Sequence, residues 1–133
     1  MKVSSKALIS LNWSLIMLAI FIYFLNNFFL KSLFPYSLFK FYLNDFLYIL
    51  LLNSITFLSL FKLYSRKMPW KTLFVANFVV VSVSFELIFP LISADQTPDI
   101  LDCIAYFCGL GIYLILFAIY DANDLLQIRR RKA

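Results

Sequence analysis

Four carboxylates, Asp45, Glu86, Asp99 and Asp102, stand within or at the edge of segments that are otherwise nearly all hydrocarbon. An aspartate at the centre of a membrane helix costs about 2.5–3.5 kcal/mol, and less near the ends. A group of them needs a reason. Carboxylates gathered at one depth can ligate a hard cation such as Mg²⁺ or Ca²⁺ through oxygen. They can share protons. They can also pair with a base, and on their side of the chain the bases are Lys31 and Lys40. Asp99, Asp102 and Tyr106 follow an i, i+3, i+7 spacing and share a helical face, as do Ser82 and Glu86 at i, i+4. Asn44 stands beside Asp45 in the same turn. A competing reading is capping. Asp45, Asp99 and Asp102 all fall in the first turn of a helix, where a carboxylate meets free N–H groups and the positive end of the dipole. Capping leaves Glu86, deeper and near a helix C-terminus, without an account. Both readings stand at this point.

The elements that must position these groups are four apolar segments, Ala7–Leu30, Tyr42–Tyr64, Thr72–Ile92 and Pro98–Tyr120. Each is near the ~20 residues that a bilayer core requires. The chain is 63% apolar and 14% charged over 133 residues, against about 45–50% apolar in soluble domains. The fold expected is all-α, a single integral membrane bundle of four transmembrane helices spanning residues 1–133. The first segment is too long for a signal-peptide core and no A-x-A-like site follows it, so it reads as a retained helix.

Orientation follows from the basic residues. Lys2, Lys6, Lys62, Arg66, Lys67, Lys71, Arg129, Arg130, Arg131 and Lys132 flank one face, leaving two of the 12 for the other. The positive-inside rule then places both termini in the cytoplasm, and all four carboxylates at the outer leaflet. Tyr64, Trp70 and Tyr120 fall at the inner interface, Tyr36 and Tyr42 at the outer one. A net charge of +5 in a soluble chain would suggest nucleic acid. Here the charge serves topology, and no nucleic-acid partner is expected. In the tail 121–133, the run Arg129–Lys132 is expected to meet anionic lipid, at roughly 1 kcal/mol per basic residue.

Other residues carry less. The chain has no histidine, which removes the commonest general base. Cys103 and Cys108 point about 140° apart on a helix turning roughly 100° per residue, so no disulfide is expected between them. Asn12, Asn53, Asn77, Ser82 and Ser84 suit interhelical hydrogen bonds. Ala105 and Gly109 continue the Asp102 face with small side chains. This predicts a close approach of the third and fourth helices and a matched pair of Glu86 and Asp102.

The run Tyr42-Leu43-Asn44-Asp45, the Phe85-Glu86 pair with Pro90, and Thr97-Pro98-Asp99 through Asp102, with Tyr106 and Gly109, resemble a group of small Bacteroidota membrane proteins. Those show Y-L-D-D-L, F-E-x-x-x-P and T-A-D-P-x-D in the same order. Asn26 or Asn27 followed by Lys31 fits them too, and the likeness covers about residues 12–115. Such sequences sometimes carry the label magnesium citrate secondary transporter. The Glu86, Asp102 and Gly109 spacing is also distantly similar to VanZ-like proteins. Two departures bear on the site. Asn44 replaces an acid of the closer group, and the loop arginine of VanZ-like proteins is absent.

Three functions follow for testing. One is a membrane protein that binds or moves a divalent cation or protons. Another is a structural or accessory subunit, in a homo-oligomer or a larger membrane complex. The third is an enzyme of envelope lipid, for which no G-x-G-D, phosphate-loop or D-G…A-R motif is present.

Overall fold

The computed structural model describes residues 6–33, 42–64, 68–93 and 99–132; for 123–125 and 127–132 it describes the backbone alone. Among these residues four helices are long and apolar enough to cross a membrane. They are α1 (Lys6–Leu33), α2 (Leu43–Tyr64) and α3 (Trp70–Ile92), and α4 (Ile100–Lys132). At 1.5 Å per residue the 22 residues of α2 span about 33 Å, enough for a ~30 Å hydrocarbon core. α4 is longer, with 33 residues, so the helix continues without a break into the basic tail. The side chains of Arg129, Arg130, Arg131 and Lys132 lie outside the described residues, as do Pro98, Lys40 and Tyr36.

Helical periodicity decides which face of each helix turns inward. On α1, Leu8, Asn12, Leu15, Ala19 and Asn26 are buried, whereas Trp13, Met17, Phe21, Phe24 and Phe28 form an exposed stripe. On α4, Ala105, Tyr106, Leu110, Tyr113 and Phe117 are buried and Ile104, Phe107, Ile115 and Ile119 face outward. An apolar outer face costs nothing in hydrocarbon, so the helices hold together through packing and interhelical hydrogen bonds. α2 packs along both α1 and α4, and α4 also meets α1 and α3. α3 is the most peripheral, with 11% of its apolar window buried against 28–33% for the other three.

α4 approaches α2 closely at Gly109. A Cβ on Gly109 would lie 2.6 Å from the Phe46 carbonyl oxygen and collide with Ile49, whereas Gly111 has open space. The small residues therefore admit the second helix, not the third as the sequence reading expected. The end of the bundle away from the carboxylates is closed by aromatic rings. Phe57 stacks on Phe61 at 4.8 Å and meets Trp70 at 4.9 Å and Phe117 at 5.5 Å. Phe74 meets Tyr113 edge-on at 4.8 Å. Trp70 does sit at a helix end, but its ring is buried in this cluster (7% exposed) and does not face an interface. Pro69 precedes the first turn of α3, and its carbonyl accepts the Leu73 N–H at 3.1 Å.

One buried polar layer joins all four helices. The Tyr113 hydroxyl donates to Asn12 Oδ1 at 2.6 Å and lies 3.3 Å from the Asn53 carbonyl oxygen. Asn77 Nδ2 donates to Asn53 Oδ1 at 2.9 Å and to Thr56 Oγ1 at 3.1 Å. These are the interhelical roles expected of Asn12, Asn53 and Asn77. Cys103 and Cys108 are free thiols.

Candidate functional site

Two helices widen into a π turn where the polar residues enter the bundle. In α1 the turn is Asn26–Leu30, with the Lys31 N–H bonded to the Asn26 carbonyl five residues back. In α3 it is Ser84–Ile88, with the Phe89 N–H bonded to Ser84 in the same way. The cause in α3 is local. Pro90 has no N–H for the Glu86 carbonyl, and its ring crowds that carbonyl. The widened turn accommodates both, and it buries Glu86 to 8% exposure. π turns inside helices are frequent at functional sites.

The four helices bring their polar residues to one end. Asp99 caps α4, with its Oδ1 accepting the Leu101 N–H at 2.9 Å and its Oδ2 accepting the Tyr42 hydroxyl at 3.1 Å. Glu86 Oε2 accepts the backbone N–H of Asp99 at 2.8 Å. Capping thus accounts for Asp99 and, across helices, for Glu86. Asp45 and Asp102 have another arrangement. Their carboxyl groups face each other within interacting range, and Asp45 Oδ1 also accepts the Tyr106 hydroxyl at 3.2 Å. Glu86 and Asp102 therefore do not form the direct pair that their matched depths suggest, although Glu86, Asp45 and Asp99 all act electrostatically on Asp102.

A neutral and basic flank completes the site. Asn26 Nδ2 donates to Asn44 Oδ1 at 3.0 Å, and Asn44 Nδ2 reaches Asn27 Oδ1 at 3.5 Å. Lys31 Nζ donates to the same Asn27 oxygen at 2.7 Å and acts electrostatically on Asp45. Ser82 Oγ is shielded from solvent with no partner among the described residues. At the rim, desolvation and then the Asp99 carboxylate raise the Tyr42 phenol above its ordinary range.

The four carboxylates Asp45, Glu86, Asp99 and Asp102, with Asn44, Ser82 and Tyr106, lie at this end of the bundle. Asn26, Asn27, Lys31 and Tyr42 were not counted among the site residues. The signal for them was an Asn pair in a hydrocarbon run, with a lysine one turn on from Asn27. Among the described residues no group of three or more carboxylates or thiols is placed to hold a metal ion. Comparison of the chain with protein-family models, curated proteins and solved structures gave no match.

Proposed function

We propose that this chain is a small multi-pass protein of a bacterial cytoplasmic membrane, with both termini inside, whose carboxyl cluster holds and exchanges protons at the outer leaflet. The juxtaposition of the Asp45 and Asp102 carboxyl groups, beside the Tyr106 hydroxyl that donates to Asp45, carries this reading. Two carboxyl groups can bond only if one keeps a proton, and the pair then titrates as a unit. Tyr106 donates from one side and Lys31 adds positive charge from the other, so the shared proton is held in a fixed polar setting. The likeness to the Bacteroidota proteins, and the remoter one to VanZ-like proteins, rests on sequence motifs and leaves the chemistry to the site.

Infrared spectroscopy of the reconstituted protein tests the assignment. A protonated carboxyl C=O stretch is expected at neutral pH, and both Asp45→Asn and Asp102→Asn should abolish it. A band that survives in both variants overturns the reading. Its conversion to carboxylate bands by added Mg²⁺ would reassign the site to a divalent cation. Topology is tested separately in a chain with Cys103 and Cys108 replaced by serine. A membrane-impermeant thiol reagent should reach Ser93→Cys from outside and not Met68→Cys.

A second reading, a subunit of a larger membrane assembly, is favoured by one observation. α3 buries far less of itself than the other spans, which leaves a full helix face for another protein. Co-purification of a partner that protects this face would support it.

A further inference from the structure

Beside the carboxyl cluster an apolar groove of about 430 Å³ opens between α2 and α4. Tyr42, Leu43 and Phe46 line one wall, and Leu101, Ile104 and Ala105 the other. Ala105 leaves the floor low, with a methyl where Leu101 and Ile104 carry four-carbon side chains. Apart from Tyr42 at the rim, both walls belong to membrane-spanning stretches, so hydrocarbon flanks most of the groove. Its head is polar. Tyr42 donates to Asp99 Oδ2 and the Leu101 N–H to Asp99 Oδ1, so two wall residues hold the same carboxylate. An amphiphile whose tail lay in the groove would therefore set its headgroup against Asp99.

Charge selects the headgroup. Asp45, Glu86 and Asp99 all act on Asp102 at this end, and among the described residues Lys31 is the base acting on Asp45. One proton shared by Asp45 and Asp102 still leaves the cluster net negative. It repels a headgroup whose only charge is phosphate and attracts an ammonium. A primary ammonium also supplies N–H donors, which form stronger, charge-assisted bonds to a carboxylate; a trimethylated ammonium has none. We propose that the groove seats one acyl chain of an amine-headed phospholipid, with its ammonium donating to Asp99. Asp99 is not part of the proton-sharing pair, so this assignment stands or falls separately from the proton reading.

Native mass spectrometry tests it, on full-length protein released from bilayers of equal parts phosphatidylethanolamine, phosphatidylcholine and phosphatidylglycerol. One retained lipid is expected, with phosphatidylethanolamine several-fold enriched. Asp99→Asn, which keeps a good helix cap, should keep the lipid and lose the enrichment. Ala105→Phe should fill the groove and lose the lipid. Alkylation of Cys108, which also lines the groove, gives a second measurement on an unfilled groove. In a Cys103→Ser chain a lipophilic maleimide should react several-fold more slowly in phosphatidylethanolamine than in phosphatidylcholine. Equal retention of the three lipids, a preference for phosphatidylglycerol, or equal Cys108 rates would each overturn the proposal.

Discussion

Glu86 Oε2 accepts the backbone N–H of Asp99 at 2.8 Å, so a side chain within α3 satisfies a donor at the start of α4. A helix start leaves its first N–H groups without intrahelical partners, and in hydrocarbon no water replaces them. Glu86 is thus held in the bundle by a structural bond as well as by its place among the carboxylates. Glu86→Gln keeps an acceptor oxygen and should retain most of the stability. Glu86→Ala leaves the donor bare and should cost about 1–3 kcal/mol. Equal losses in reversible unfolding from mixed micelles would show that the charge, not the bond, matters.

Asp45 and Asp102 should behave as one unit. Asp45→Ala and Asp102→Ala each remove the same carboxyl–carboxyl interaction, so the second substitution should add less than the first. The interaction energy in a double-mutant cycle is expected at about 0.5–3 kcal/mol. Additive effects on stability would separate the two residues.

Gly109 and Gly111 make a matched comparison. Gly109→Ala drives a methyl into Ile49 and the Phe46 carbonyl, and overpacking of this kind costs about 1–3 kcal/mol. Gly111→Ala meets open space and should be neutral or slightly stabilising, since alanine favours the helix by about 1 kcal/mol. Thermal unfolding of the two variants side by side reads the difference.

Tyr113→Phe removes the 2.6 Å bond to Asn12 and strands a buried amide oxygen. The loss should be about 1–2 kcal/mol. Adding Asn12→Leu to it should recover part of that loss, because replacing both partners by apolar groups is nearly neutral. A double variant worse than the sum of the singles would refute this.

The Tyr42 phenol is raised above its ordinary 10.0, so the folded chain keeps this proton more tightly than the unfolded chain. The contribution to stability is complete below pH 10 and is lost as pH rises through the folded-state value. Wild type should therefore lose stability above pH 10 faster than Tyr42→Phe. Parallel curves would mean that the Tyr42–Asp99 bond is not formed in solution.

Much of this was legible in the chain. Four apolar runs bounded by Tyr64, Pro69 and the acidic starts at Asp45 and Asp99 give the four helices directly, because hydrocarbon admits few other backbone solutions. The gathering of Asp45, Glu86, Asp99 and Asp102 at one end follows from threading those runs back and forth. Their pairing does not follow. Depth alone matches Glu86 with Asp102, but rotation about each axis sets the partners, and a widened turn in α3 alters that rotation. Pro90 was the visible sign of the turn. Asn26 and Asn27 likewise show their role only once α1 lies against Asn44.

The π turns also govern where the chain tolerates a change of length. Removing one residue from a membrane helix normally rotates everything beyond it by about 100°, turning buried faces to lipid. A π turn already carries a residue in excess of the α repeat, so a single deletion within 26–30 is absorbed by reversion to ordinary helix, whereas in 84–88 Pro90 would still demand the widened turn. Natural indels among relatives of this chain should therefore concentrate beside Asn26 rather than Glu86, and each such deletion would reposition the polar side chain while the bundle stays intact.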